Sequence, residues 1–246
     1  MATTMTAREF LALHDRTEPA DPLVLPNVWD AISARAFADA GFTALATSSS
    51  AVAAALGHHD GEDTPADEMF AAVKRIARSV DVPVTADIEA GYGLAPAEIV
   101  ERLLDAGVVG CNLEDSTAAT RQLKDPDQHA DWLAQVRAAA GDRLVLNARV
   151  DTFLFGDRSV ESTVKRAALY IDAGVDVIYP ILAPEHLLPE LAASIPRPLN
   201  ALCLLDTTAP AHLGTLGASR VTYGGTLQQR SAADLTALAQ RLAPPR

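Results

Sequence analysis

Short apolar runs alternate with longer segments in which apolar residues recur three or four positions apart along most of the chain. A short run of Val, Ile and Leu is typical of a buried strand, and the longer spacing is typical of a helix that covers it. From residue 23 onward this alternation predicts eight β-α units. The predicted strands are 23–26, 44–48, 82–88, 109–114, 144–150, 175–181, 198–204 and 220–223.

The tripeptide Asp-Ala-Gly occurs three times, each time between a predicted helix and the next predicted strand, with its glycine at Gly41, Gly107 and Gly174. Glycine favours the left-handed conformation that often ends a helix. Eight parallel strands with short, right-handed connections close most simply into an α/β fold of the (β/α)8 TIM barrel type. The length of 246 residues fits one such domain, with a helical extension over 1–22 and the barrel over 23–243.

Composition and charge narrow the possible partners. A net charge of −12 argues against binding to nucleic acid or to an anionic membrane, since both need clustered Lys and Arg. The N-terminus is too polar for a secretory signal, and no apolar stretch reaches the roughly 20 residues that span a bilayer. Only two cysteines occur, both in predicted strands, which argues against a disulfide scaffold. A cytoplasmic protein is therefore expected.

Acidic residues stand at the ends of two neighbouring predicted strands. Asp87 and Glu89 close the third strand, and Glu114 closes the fourth. An α/β barrel carries its site at these carboxyl ends, and residues two apart on a strand share a face. Carboxylate oxygens are preferred ligands of Mg²⁺, with Mn²⁺ as a possible substitute. The alternative is structural, with one or more carboxylates capping a helix or pairing with Lys or Arg.

A basic residue, Arg149, ends the fifth predicted strand close to Asp151. Its planar guanidinium could bind a carboxylate or a phosphoryl group, which an anionic substrate of an acidic protein requires. A salt bridge to Asp151 or Glu114 is the structural alternative, and both could hold together. After the second strand, the hydroxyls and backbone N–H groups of Ser48 and Ser49 could cradle a carboxylate, although serines are also ordinary loop residues.

Two long connections, 49–64 and 116–125, follow the second and fourth strands and are candidate lids at the same end of the barrel. The second contains Arg121 and Lys124, whose charged groups are available for closure. After the eighth strand, Gly224-Gly225 could bind a phosphate or simply form a tight turn.

Five segments occur in the order found in the isocitrate lyase/phosphoenolpyruvate mutase superfamily, which the chain resembles most strongly over residues 23–151. The resemblance implies a magnesium-dependent barrel enzyme acting on small anionic carboxylates, either 2-oxo acids or the precursors of their enolates. The segments are Asn27-Val28-Trp29-Asp30, Thr47-Ser48 with Leu56-Gly57 and Asp60, Asp87-Ile88-Glu89-Ala90-Gly91-Tyr92-Gly93, Leu113-Glu114-Asp115 and Asn147-Ala148-Arg149.

The same resemblance assigns expected roles. Asp87 would bind the metal directly, while Asp60, Glu89 and Glu114 would hold its waters. The expected substrate-binding residues are Ser48, Ser49, Trp29 and Asn200, and the expected catalytic residues are Arg149 and Glu114. Arg121 and Lys124 are added to the catalytic set from the loop 116–125 itself, as polar groups available for closure. Members of the superfamily are commonly tetramers that exchange the last helix, so a homo-oligomer, dimer or tetramer, is expected, with 231–242 as that helix.

Departures from the superfamily pattern leave the reaction open. Glu89 stands where an aspartate is usual, Ala46 stands where an aromatic residue is usual, and the segment after Glu114 lacks the cysteine that donates a proton in isocitrate and methylisocitrate lyases. A lyase or decarboxylase that cleaves a C–C bond of a 2-oxo or 2-hydroxy dicarboxylate is the first hypothesis. Phosphoenolpyruvate mutase or phosphonopyruvate hydrolase chemistry is the second. A barrel that binds a metabolite without catalysis is the third.

Overall fold

The computed structural model describes residues 5–15, 18–117 and 119–244. Strands and helices alternate along these residues, as the hydrophobic pattern predicts. The strands are β1 (Leu23–Leu25), β2 (Asn27–Val28), β3 (Leu45–Thr47), β4 (Val84–Asp87), β5 (Gly110–Glu114), β6 (Ser116–Thr117), β7 (Gln122–Leu123), β8 (Val145–Arg149), β9 (Val177–Tyr179), β10 (Asn200–Leu202) and β11 (Arg220–Thr222).

Eleven α-helices lie within the described residues, together with a 3₁₀ turn at Glu185–Leu187. Gly107 ends one helix at φ 79°, and Gly41 and Gly174 take φ 94° and 95°, so the three Asp-Ala-Gly predictions are confirmed. The helices are α1 (Ala7–Ala12), α2 (Ala31–Asp39), α3 (Ser49–Leu56), α4 (Ala66–Ala77), α5 (Pro96–Ala106), α6 (Pro126–Ala140), α7 (Thr152–Phe155), α8 (Val160–Asp172), α9 (Leu188–Ser194), α10 (Pro210–Thr215) and α11 (Thr226–Leu242).

All eight predicted strands are present and parallel, each with slightly trimmed ends. The sheet β2-β3-β4-β5-β8-β9 has six strands, and the sheet β1-β11-β10 has three. The first predicted strand, 23–26, contains β1, which pairs with β11, and Pro26 separates it from β2, which lies beyond the predicted bounds and pairs with β3. A single parallel bridge from Ile178 to Leu199 joins β9 to β10. The strand order is that of a TIM barrel, with a hydrogen-bond ladder that is interrupted at these two places.

The apolar core of the described residues forms three clusters, and two of them bear on the position of the site. The larger cluster lies between the strands and the surrounding helices and includes Leu103, Leu133 and Ile178. The smaller cluster fills the amino-terminal half of the barrel interior, where Phe10 of α1 packs with side chains from several strands, including Leu25 and Val177. Helix α1 therefore closes the amino-terminal end, and the carboxyl ends of the strands remain as the open mouth.

Two buried histidines make the fold sensitive to acid. Burial lowers the pKa of His14 to about 4 and that of His129 to about 3, because a charged imidazole would lose its hydration. The unfolded chain therefore binds more protons than the folded chain between about pH 6.5 and these values, so stability is complete above pH 6.5 and falls with pH. Each histidine is expected to cost about 1–3 kcal/mol of unfolding free energy by pH 4.

Urea unfolding at pH 7 and pH 4.5 measures this loss. His14→Leu should show a smaller decrease in unfolding free energy between the two pH values than the wild type, because the group that takes up the proton on unfolding is gone. His186→Leu, at an exposed histidine, is the matched control and should leave the decrease unchanged. Equal decreases in the wild type and His14→Leu would contradict the prediction.

Candidate active site at the barrel mouth

A cavity of about 260 Å³ lies at the carboxyl ends of the strands. Its walls carry both signs of charge, since Asp60 and Asp87 face the same space as Arg149. The remaining lining residues are Asn27, Ser48, Ser49, Ser50, Asn112, Leu154, Tyr179, Ile181, Leu182, Leu202, Thr222, Tyr223, Gly224, Gly225 and Thr226. A pocket of this size fits a small anion of a few carbon atoms.

Asp87 is held by the neighbouring strand and by the first turn of α3. Its Oδ2 accepts hydrogen bonds from the Ser49 backbone N–H at 3.1 Å and from the Ser49 hydroxyl at 2.9 Å. Its own N–H donates to the Thr47 hydroxyl at 2.9 Å. These bonds fix one carboxylate oxygen, while Oδ1 accepts only a long bond of 3.4 Å from the Glu89 N–H. Asp87 therefore presents a carboxylate oxygen to the cavity.

Asp60 lies at the rim of the cavity, in the connection after α3. The Ser49 hydroxyl is 3.5 Å from its Oδ1, so the serine connects Asp60 with Asp87. Loss of hydration and the charge of Asp87 raise the pKa of Asp60. Two carboxylates that face each other across one serine concentrate negative charge at this side of the mouth.

Glu89 is oriented differently from Asp87. Strand β4 ends at Asp87, and Glu89 has φ 51°, so the two-residue alternation that the sequence suggests does not extend to it. Its Oε1 accepts a hydrogen bond from the Tyr92 hydroxyl at 2.7 Å, and its Oε2 accepts one from the Glu62 N–H at 2.5 Å. Glu62 in turn accepts a bond from the Tyr92 N–H at 2.5 Å. Glu89 thus joins the loop after α3 to the loop after β4.

Burial raises the pKa of Glu89 to about 7, although the Tyr92 bond opposes the rise. Both oxygens of this carboxylate are engaged by protein donors, and neither Glu89 nor Glu114 lines the cavity within the described part of the chain. Of the four expected metal residues, the structure places Asp87 and Asp60 on the cavity wall and Glu89 and Glu114 behind it.

Arg149 is clamped by two carboxylates, those of Asp151 and Glu114, and it also lines the cavity. The two salt bridges that the sequence suggests as structural alternatives are therefore both present. Its Nε donates to Oδ1 of Asp151 at 2.6 Å, and one terminal nitrogen donates to Oδ2 at 3.0 Å. The other terminal nitrogen donates to Oε1 of Glu114. Burial lowers the pKa of Arg149, but the charges of Glu114 and Asp151 outweigh it and hold that pKa above its ordinary value.

A second ring of bonds fixes the carboxylates that hold Arg149. The Asp151 N–H donates to Oδ1 of Asp115 at 2.8 Å, and Ser116 donates to Oδ2 of Asp151. Asp115 also accepts bonds from the Tyr170 hydroxyl at 2.8 Å and from Arg166 at 3.1 Å. Asp115 therefore acts as structural support. Burial, partly offset by Arg149, raises the pKa of Glu114 well above its usual range.

The expected substrate-binding residues do not all reach the cavity. Ser48 and Ser49 line it, and Ser48 also caps α3 by accepting a bond from the Ala51 N–H at 3.4 Å. The Trp29 side chain packs against the larger apolar cluster. Asn200 is fully buried and bonds to the Thr222 hydroxyl at 3.1 Å, so it meets the cavity only through Thr222.

The segment after β5 is a short antiparallel hairpin, since Ser116 pairs with Leu123 and Thr117 with Gln122. Arg121 lies at its turn with φ 53° and is exposed. Lys124 donates to the Glu114 carbonyl at 3.3 Å and stands over the Trp132 ring at 5.5 Å from its centroid, and burial lowers its pKa. The two expected catalytic residues therefore stand on the hairpin and at its base, outside the cavity lining given by the described residues.

Neither cysteine offers a reactive thiol at the mouth. Cys111 is buried against the helices, and burial raises its pKa to about 12. Cys203 is also buried, its Sγ donates to the Thr208 carbonyl at 3.1 Å, and burial raises its pKa. A thiol needs a lowered pKa to react readily. Both cysteines therefore serve the packing of the interior.

Several residues that line the barrel mouth were not predicted as site residues from the sequence. Asn27 accepts bonds from the Tyr223 and Gly224 N–H groups at 2.6 and 3.0 Å, and so ties the last loop to the first strand. Tyr179 and Thr222 line the cavity from β9 and β11. Asn27 stands in one of the segments that carry the family resemblance, so the resemblance could have indicated it. Tyr179 and Thr222 are ordinary strand residues in the sequence.

A divalent cation fits the donors on the cavity wall. Asp87 and Asp60 offer oxygen atoms only, and loss of hydration together with the charge of Asp87 raises the pKa of Asp60, although Arg149 opposes the rise. No three His, Cys, Asp or Glu side chains within the described residues lie close enough together to surround an ion. This arrangement suits a hard ion such as Mg²⁺, which keeps several waters and takes only one or two protein carboxylates.

A parallel barrel with carboxylates and a clamped arginine at its mouth defines the class: an α/β-barrel enzyme of small anions. The chain belongs to the phosphoenolpyruvate phosphomutase family, whose model matches residues 10–243. It is therefore an enzyme of the isocitrate lyase/phosphoenolpyruvate mutase superfamily, which contains lyases and mutases.

Individual relatives support this assignment. A Burkholderia cenocepacia protein described as a phosphonomutase is 38% identical, covers 96% of this chain and 99% of its own, and superposes with a TM-score of 0.88. An uncharacterized protein of Mycobacterium tuberculosis is 36% identical over 87% of this chain and 82% of its own. The 2-methylisocitrate lyase of Bacillus subtilis is 29% identical over 74% of this chain and 62% of its own.

No helix among the described residues combines the length and the apolar character that crossing a membrane requires.

Proposed function

We propose that the protein is a Mg²⁺-dependent lyase or decarboxylase that cleaves a C–C bond of a small 2-oxo or 2-hydroxy dicarboxylate through an enolate. One observation carries this proposal. The same 260 Å³ cavity is lined by an Asp87 carboxylate, by the clamped Arg149 guanidinium, and by the hydroxyls of Ser48 and Ser49. A cation-binding group and an anion-binding group on one small cavity match a substrate that carries a carbonyl beside a carboxylate.

Asp87 would bind the metal directly, and Asp60 would hold its waters. Glu89 and Glu114 would help to hold those waters from behind the cavity wall. When bound, the metal supplies electrostatic stabilisation to an oxygen that becomes negatively charged as the bond breaks. The substrate carboxylate would accept a hydrogen bond from the Ser48 hydroxyl, which orients the bond to be broken. Ser49 would reach that carboxylate only by giving up its hydroxyl bond to Asp87, because its N–H and its hydroxyl both donate to Asp87.

Arg149 would stabilise negative charge that develops on the substrate. Glu114 and Asp151 accept three hydrogen bonds from the guanidinium, which hold it in one orientation. Its charge is therefore in place before the reaction and needs no reorganisation. The hairpin after β5 would exclude water, with Lys124 at its base. The reaction also needs a proton donor for the enolate carbon, and the lid cysteine of the isocitrate and methylisocitrate lyases has no equivalent in this sequence.

P–C chemistry is the second candidate, supported by the phosphonomutase relative and by Gly224 and Gly225 on the cavity wall. Purified protein should be assayed for pyruvate or other 2-oxo acid release from oxaloacetate, alkylmalates and phosphonopyruvate, with Mg²⁺ or Mn²⁺ and with EDTA. Turnover of a carbon substrate supports the lyase, and turnover of phosphonopyruvate alone supports the second candidate. Absence of turnover with all of them would leave the third hypothesis, a metabolite-binding barrel.

A homo-oligomer is also proposed, with α11 as the contact. None of the 17 residues of α11 is buried in the single chain, and Leu235, Leu238 and Leu242 are 66%, 41% and 74% exposed on one face. Leucines spaced three and four apart form a stripe that a partner helix or groove normally covers. A second copy of this chain is the expected partner.

Light scattering after size exclusion is expected to give a mass of at least twice 25.9 kDa for the wild type. Leu235→Glu combined with Leu238→Glu should reduce it to a single chain, since two carboxylates would lose hydration at the contact. Ala233→Glu places a carboxylate on the opposite face of α11 and should leave the mass unchanged. A monomeric wild type would overturn the proposal.

A further inference from the structure

One charged side chain lies inside the barrel without an ion-pair partner. Arg220, at the start of β11, is fully buried, and it is the largest of the fully buried side chains. One terminal nitrogen donates to Oδ1 of Asn112 at 3.3 Å. Its Nε and its other terminal nitrogen have no hydrogen-bond partner within the described residues, and Arg220 forms no salt bridge with any residue of that part of the chain.

This arrangement is costly for the fold. Burying a guanidinium removes its hydration, and proteins normally repay that loss with a carboxylate and a full set of acceptors. Arg149, which is only slightly exposed, shows the usual solution, because it bonds to Asp151 and Glu114. Burial lowers the pKa of Arg220 to about 10, opposite in direction to Arg149. A buried charge that lowers stability and forms no compensating contact indicates a functional role.

The position of Arg220 relates it to the cavity. Its one acceptor, Asn112, lines the cavity wall, and Asn112 is also fixed by a 2.7 Å bond from Asn147. Burial is the main influence on the pKa of Arg220, and the charge of Asp87 on the cavity wall partly opposes it. Arg220 therefore lies directly behind the cavity wall. Two of its nitrogen atoms have no acceptor within the described residues. Because the surroundings have a low dielectric constant, they screen its charge poorly.

We propose that Arg220 is a positioning residue that supplies a fixed positive potential beneath the cavity and, through Asn112, favours a doubly negative ligand there. The proposal rests on the proposed function, since it assumes a dicarboxylate-like occupant. Arg149 provides the direct cationic contact on the wall, and Arg220 adds charge from below without touching the ligand. The potential also opposes a cation at Asp87, so Arg220 weakens metal binding until an anion arrives.

The test uses Arg220→Met, which keeps the approximate volume and removes the charge, and Arg220→Lys, which keeps the charge. Oxalate, a planar dianion, is titrated against the Mg²⁺-loaded protein by calorimetry, and oxamate, a monoanion of similar shape, is titrated in parallel. Arg220→Met is expected to weaken oxalate binding about tenfold and oxamate binding less. Arg220→Lys should stay within about threefold of the wild type.

Two further measurements do not depend on any ligand of the reaction. Arg220→Met is expected to keep or raise the Tm, by up to about 5 °C, because an unpartnered buried charge is removed. Its affinity for Mn²⁺ alone should increase, since a positive charge behind Asp87 is lost. Arg137→Met is the matched control. Arg137 bonds to Asp176 and to the carbonyls of Gly174, Gly141 and Leu144 at the amino-terminal end, so its loss should lower the Tm and leave oxalate affinity unchanged.

The outcomes separate the two proposals. If the wild type binds neither oxalate nor any tested dicarboxylate, the proposed function fails, and the Tm and Mn²⁺ results still test the charge of Arg220. If the wild type binds oxalate and Arg220→Met binds it equally well, only the role of Arg220 is overturned. A large loss of Tm in Arg220→Met, or equal effects of Met and Lys, would show that the arginine serves packing.

Discussion

Replacing Asp87 by asparagine is expected to reduce kcat/KM at least about 1,000-fold, which is the largest effect of any single substitution at this site. The change removes one negative charge and keeps the shape, so an amide oxygen can still accept the two bonds from Ser49. Affinity for Mn²⁺ measured by calorimetry should fall by more than about tenfold, because an amide is a much weaker ligand than a carboxylate.

The fold should tolerate Asp87→Asn. Loss of the charge relieves repulsion with Asp60, so the Tm is expected to stay the same or rise slightly. Asp105→Asn is the matched control, since Asp105 forms an exposed salt bridge with Lys74 at 2.9 Å and should change neither turnover nor Mn²⁺ binding. Full metal binding without turnover in the variant would contradict the metal assignment. If the wild type shows no turnover and Asp87→Asn loses metal binding, the metabolite-binding barrel is favoured.

Arg149→Lys is expected to lower kcat/KM by about 100–1,000-fold while the protein stays folded. Lysine keeps the positive charge between Glu114 and Asp151, but an ammonium group cannot bond to both carboxylates and also present a planar donor edge to the cavity. The loss should appear mainly in kcat, since charge that develops during the reaction is what the guanidinium stabilises.

Arg166→Lys is the matched control for Arg149→Lys. Arg166 bonds to Asp115 and Tyr170 behind the site and does not line the cavity within the described part of the chain. It should change kcat/KM less than about fivefold and shift the Tm by only a few degrees. Equal effects of the two substitutions on kcat/KM would mean that Arg149 supports the fold and does not act on the substrate.

The class of fold could be predicted from the sequence because each strand and helix is encoded locally. Eight apolar runs gave the eight parallel strands, and the boundaries were too long by one to several residues because apolar flanks such as Val82 and Ile181 extend beyond the ladder. The Asp-Ala-Gly boundaries were correct because a left-handed turn depends on the glycine itself. The hairpin after β5 was expected only as a loop, since two-residue strands leave almost no periodic signal.

The candidate site was predictable in part. Asp87, Ser48, Ser49 and Arg149 line one cavity, as the positions of the strand ends suggest, and Asp60, which only the family resemblance indicated, lines it with them. Trp29 and Asn200 do not, because side-chain direction at a strand end depends on what packs behind it. Metal binding and substrate identity remain predictions that the experiments above address, and the roles of Arg121 and Lys124 also remain predictions.

Sequence alone determined which residues stand at the carboxyl ends of the strands, because the period of a strand and the capping of a helix are local properties. Tertiary structure decided how their charges are used. The positive φ of Glu89 turns its carboxylate toward Glu62 and Tyr92, and barrel closure brings Arg149 to Glu114 and leaves Arg220 unpaired behind the wall. These contacts join residues far apart in the chain, so their geometry depends on how the whole barrel packs.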